Sequence, residues 1–95
     1  GIHMNDIINQ ETFKYTKKIA IVTINGYKYM VYTIPNFNNY ILHASKMIKL
    51  NNIINLVEIN NEEKNIVLNI IKTIMKIKDP KTLNEYLVSN NISIE

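Results

Sequence analysis

The dipeptide Asn25-Gly26 constrains this chain more than any other feature. A two-residue type I′ turn needs positive φ at both central positions. Asn and Gly tolerate that, and the turn's twist matches that of paired strands. The flanks are rich in β-branched and aromatic residues: Lys18–Ile24 on one side, Tyr27–Ile34 on the other. A hairpin is therefore predicted, with Ile24 opposite Tyr27, Val22 opposite Tyr29, Ile21 opposite Met30 and Ile19 opposite Tyr32. The first strand is allowed to begin as early as Thr12.

Side chains alternate along a strand, so this register sorts the ribbon into two faces. Phe13, Tyr15, Ile19 and Ile21 meet Met30, Tyr32 and Ile34, and this is the expected core face. The other face carries Val22, Ile24, Tyr27 and Tyr29 near the turn and lysines toward the open end. A lone hairpin is marginal in water, so further elements or a second chain must cover it.

Beyond Pro35, which cannot donate to a ladder, Asn36, Asn38 and Asn39 offer N-caps. Phe37, Ile41, Ala44 and Ile48 then recur at helical spacing, which predicts a helix through about Leu50. Asn51-Asn52 ends it, and residues 54–59 read as a short third strand. Asn60 and Glu63 stand at capping-box spacing before a broadly apolar helix to about Lys78. Asp79-Pro80 starts a short last helix with Leu83, Tyr86 and Leu87 on one stripe. Ile92-Ser93-Ile94 alternates and can pair with an edge or fray. The expected fold is α+β: an N-terminal hairpin and a short third strand packed on two longer helices and a short C-terminal one.

Length permits a single domain. Gly1-Ile2-His3-Met4 reads as an expression-tag remnant, leaving residues 5–95 as that domain. With 46% hydrophobic and 20% charged residues the composition is globular. Cysteine is absent, which excludes disulfides and thiol nucleophiles. No signal peptide or membrane-length apolar run is visible, so a cytoplasmic protein is expected. Ile, Asn, Lys and Tyr, whose codons can be built from A and T alone, supply 52 of the 95 residues, and arginine is absent. The source is then an AT-rich genome such as a plasmid, phage or virus, and part of the lysine content reflects mutation pressure.

Catalysis finds little support. His43 is the one imidazole outside the tag, and Ser45 would lie on a different azimuth of the expected helix. No enzyme activity, cofactor, metal or small-molecule substrate is expected. The net charge of +3 instead favours an anionic partner. Lys46 and Lys49 on one helix, Lys72 and Lys76 on another, and Lys18 and Lys28 beside the tyrosines of the hairpin are the candidate contacts to DNA or RNA. Val22, Ile24, Tyr27 and Tyr29 are the candidate partner or dimer contact. Three function classes follow. The chain can be a nucleic-acid-binding accessory or regulatory protein, a protein-binding module such as an inhibitor of a host factor, or an assembly subunit. A homodimer is expected, because two apolar surfaces want more cover than one small chain supplies.

Overall fold

A computed structural model describes residues 16–35 and 38–95. Two adjacent hairpins dominate it. Strands β1 (Lys17–Ile24) and β2 (Tyr27–Ile34) pair through the Asn25-Gly26 turn, where φ is 50° and 85°. Strands β3 (Asn38–Leu50) and β4 (Ile53–Val57) pair through Asn51-Asn52, where φ is 51° and 65°. Helix α1 (Asn61–Lys76) and helix α2 (Pro80–Ser89) follow, and β5 (Ile92–Ile94) returns to pair with β1. The five strands form one antiparallel sheet in the order β4-β3-β2-β1-β5.

The class is α+β, but the expected count of three strands and three helices is wrong. The segment from Asn38 to Leu50 is a 13-residue strand and not a helix. The spacing of Ile41, Ala44 and Ile48 fits a helix. Leu42, Ala44, Lys46 and Ile48 also alternate with His43, Ser45 and Met47, which fits a strand equally well. Asn51-Asn52 is compatible with the strand, because Asn is among the few non-glycine residues that accept positive φ. Two such residues in sequence close a two-residue hairpin rather than stop a helix. The third strand stands two residues shorter at its end than expected, and both C-terminal helices lie where their caps place them. The Oδ1 of Asn60 accepts from the Glu63 N–H at 2.8 Å, and Asp79 accepts from the Thr82 N–H at 2.9 Å. The strand residues Thr12, Phe13 and Tyr15, the cap candidate Asn36 and the stripe residue Phe37 lie outside the described residues.

The expected core face needs correction too. Both helices lie on the face that carries Ala20, Val22, Tyr29, Val31 and Ala44, and Val67 and Ile71 of α1 pack into it. Small residues in this row (two alanines and two valines) let a helix approach the sheet closely. Ile19, assigned to the core, is 44% exposed. A β-bulge explains the slip: Lys18 opposes Tyr32 and Ala20 opposes Val31, so Ile19 is the extra residue. The expected Ile19–Tyr32 pair is therefore absent, while Ile24–Tyr27, Val22–Tyr29 and Ile21–Met30 form as expected. The far face of the sheet holds a second, smaller cluster of Met30, Tyr32 and Leu56, with Ile34 and Met47 packed against it.

The first turn carries a direct test. An added Cβ at Gly26 meets nothing within 4 Å, so any penalty there is conformational and not steric crowding. Gly26→Val forces a β-branched residue to φ 85° and is expected to cost about 1–2 kcal/mol or more. An unchanged thermal midpoint would mean that the turn relaxes into another type at no cost.

Candidate functional site

Between sheet and helices sits a polar cluster. Glu63, in the first turn of α1, accepts a 2.6 Å hydrogen bond from the Tyr29 hydroxyl and a 2.9 Å ion pair from Lys46 Nζ. Lys46 Nζ also lies 4.8 Å from the Tyr27 ring centroid and 5.8 Å from that of Tyr29, within cation–π range. Register brings these groups together, since Tyr29 and Lys46 are cross-strand partners on the helix side of the sheet. Asn60 caps Glu63's N–H, but the Glu63 carboxylate turns to the sheet, so only half of the capping box forms.

The electrostatics follow from this geometry. The Tyr29 hydrogen bond holds the Glu63 carboxyl below its ordinary value; burial opposes it, and the hydrogen bond and charge of Lys46 add to the lowering. Burial, and then the Glu63 carboxylate beside it, push the Tyr29 phenol up. The cluster is a closed charge-assisted network joining β2, β3 and α1. Sequence spacing identified Glu63 only as a helix-capping residue. Its role as counterion to Lys46 follows from Lys46 being on a strand that faces α1.

A second group surrounds His43. Its ring stacks on Tyr32 at 5.5 Å between centroids, and Tyr32 and Ser45 share a 2.9 Å hydrogen bond between their hydroxyls. Both His43 and Ser45 lie on one face of β3, because the segment is a strand and not the expected helix. They are not joined: Ser45 is engaged by Tyr32, and His43 Nε2 is buried without a hydrogen-bond partner among the described residues. Burial first, and then the charge of Lys64, lower the His43 pKa. The cleft beside it, about 250 Å³, is lined by Glu58, Asn61 and Lys64 among others. No nucleophile is activated here, since a base must reach the hydroxyl whose proton it takes. Another cleft of about 500 Å³, between the Asn25-Gly26 turn and α2, has no titratable side chain among the described residues of its lining. Among the described residues no three His, Asp or Glu side chains gather as metal ligands, and no helix is long and apolar enough to cross a membrane.

The six candidate lysines fall into three places. Lys46 is half-buried under α1 and neutralised by Glu63. Lys18, Lys28 and Lys49 belong to the far face of the sheet, and Lys28 lies 3.8 Å from the Glu95 carboxylate. Lys72 and Lys76 are exposed on the outer side of α1. The six do not converge on one surface. The structure adds two neighbours that spacing alone did not single out: Lys78 in the α1–α2 connection and Lys81 in the first turn of α2, both exposed.

Of the assigned partner or dimer contact, Val22 is fully buried and Tyr29 nearly so, both beneath the chain's own helices. Ile24 is half-buried, and only Tyr27 stands out, 59% exposed. That surface is largely occupied from within the chain. The apolar cover comes from α1 and α2. No family model, curated protein or solved structure matches the chain.

Proposed function

We propose that the protein is a nucleic-acid-binding accessory or regulatory protein that engages the phosphate backbone through the corner between α1 and α2. The observation that supports this reading is a run of four exposed lysines from the second half of α1 into the first turn of α2. Lys72, Lys76, Lys78 and Lys81 are all exposed and, among the described residues, make no ion pair. Lys72 and Lys76 are one turn apart on α1, and exposed Asn65 and Asn69 continue their stripe toward its N-terminus. Lysine holds phosphate as a point charge, and with no arginine in the chain the contacts favour backbone over base edges. In this reading the chain acts by binding and not by catalysis, and a two-fold homodimer doubles the cationic surface.

Fluorescence anisotropy against AT-rich duplex and single strands, at several salt concentrations, tests it. Four phosphate contacts give a log–log salt slope of roughly −3 to −4 on duplex. Lys76→Glu with Lys78→Glu is expected to abolish measurable binding, whereas Lys18→Glu with Lys49→Glu is expected to weaken it only slightly. Binding indifferent to salt, or equal in both double variants, rules the corner out. The protein-binding reading then takes its place.

A further inference from the structure

The edge strand β4 carries an inference about self-association. The Asn51-Asn52 loop makes Leu50 and Ile53 a hydrogen-bonded pair. Along β4 the backbone groups of Ile53, Asn55 and Val57 therefore point to β3, and those of Ile54 and Leu56 point away from the sheet. Among the described residues β4 is the terminal strand, and the outward N–H and C=O groups of Ile54 and Leu56 have no protein partner there.

Natural edges are usually guarded by charge, proline or a bulge. The opposite edge is guarded: β5 is three residues long and is followed directly by Glu95, which pairs with Lys28. Ile53-Ile54-Asn55-Leu56-Val57 has no charge and no proline, and its pairing with β3 shows no register shift. Ile53 and Ile54 are 56% and 59% exposed, and Leu50 beside them is 40% exposed.

We propose that β4 pairs with β4 of a second copy, antiparallel across a two-fold axis at Asn55, to give a continuous ten-stranded sheet. This names the contact for the dimer in the reading above. It rests on dimerisation alone and not on nucleic-acid binding. In this register Ile54 faces Leu56 of the partner subunit, and the symmetric pair repeats the contact. The four outward groups of each copy then make four backbone hydrogen bonds in all. Ile53 faces Val57 of the partner subunit across the other side of the sheet. A second copy suits this edge better than an unrelated strand. An uncharged strand meets no like charge when it pairs with itself, and it offers no charge for selecting a different partner.

Ile54→Pro tests the pairing, because it removes an N–H that points outward and is not part of the β3–β4 ladder. Ile54→Lys is a second variant that keeps every backbone group and adds like charges close to each other across the two-fold axis. Light scattering on the wild-type chain at micromolar concentration is expected to give about twice 11.1 kDa. Both variants are expected to give the monomer mass with an unchanged far-ultraviolet circular dichroism spectrum. A monomeric wild type overturns dimerisation itself, whether or not the edge then accepts a strand of another protein. A dimer that survives in a folded Ile54→Lys variant overturns only this interface. Neither result bears on the lysine corner, which the salt titration tests separately.

Discussion

Ile71→Ala is expected to lower the free energy of unfolding by about 2–5 kcal/mol, while Ile19→Ala is expected to cost under about 1 kcal/mol. The two residues are the same type, and both were open to assignment as core from sequence. Ile71 is 2% exposed and packs with Val67 against the valines and alanines of β1, β2 and β3. Truncating it removes three carbon atoms from a closed interior and leaves a cavity that the rigid sheet cannot fill. Ile19 is the bulge residue and stands largely in solvent, so its truncation leaves no void. For a domain this small, the first loss is a large share of the total stability. Urea denaturation of both variants measures the contrast. Equal losses would place the main core on the far face of the sheet, with Met30 and Tyr32.

Glu63→Ala is expected to be the second costly change, at about 2–3 kcal/mol. It strips the Tyr29 hydroxyl of its acceptor in a nearly enclosed place and leaves Lys46 half-buried without a counterion. It also removes a carboxylate from the first turn of α1, where the helix dipole favours one. Glu63→Gln keeps an acceptor for Tyr29 but no charge for Lys46, so an intermediate loss is expected. If Gln and Ala cost the same, the ion pair and not the phenol bond carries the effect.

The same groups set the pH response. Glu63 has a lowered pKa in the fold, so its contribution is present above the ordinary value of 4.5 and is lost as pH falls through the folded value. His43 is also lowered, from 6.5, because burial and Lys64 disfavour its charged form. The unfolded chain takes up that proton first, so stability starts to fall below about pH 6.5 and falls further below about 4.5. Tyr29 is raised, which favours its protonated form in the fold. Its contribution is complete below the unfolded value of 10.0 and declines as pH rises beyond it. Thermal melts from pH 4 to 7 check the acid arm. In His43→Phe, which keeps a ring against Tyr32, the decline is expected to begin only near the Glu63 step. An unaltered profile in that variant would exclude His43 as its first cause.

Much of the local structure was written in the sequence. Asn25-Gly26 placed the first hairpin, and its two-residue loop set the register near the turn. Asn60 and Asp79-Pro80 placed the starts of both helices. These signals are local: each depends on the backbone preference of one or two residues and a side chain that reaches three positions along. The tertiary structure decided the rest. Asn38–Leu50 carries both a helical and an alternating pattern, and pairing with β2 on one side and β4 on the other made it a strand. Hydrogen bonds to two neighbouring strands outweigh a propensity difference of a few tenths of a kcal/mol per residue. That change also moved Lys46 from a helix surface to the underside of α1, where Glu63 neutralises it. The choice of core face was equally non-local. Both faces of the hairpin are apolar, a single bulge residue shifts the parity, and α1 and α2 cover the face on which their connections emerge. Sequence alone contains the apolar residues of both faces, but only the packed helices determine which of them is enclosed.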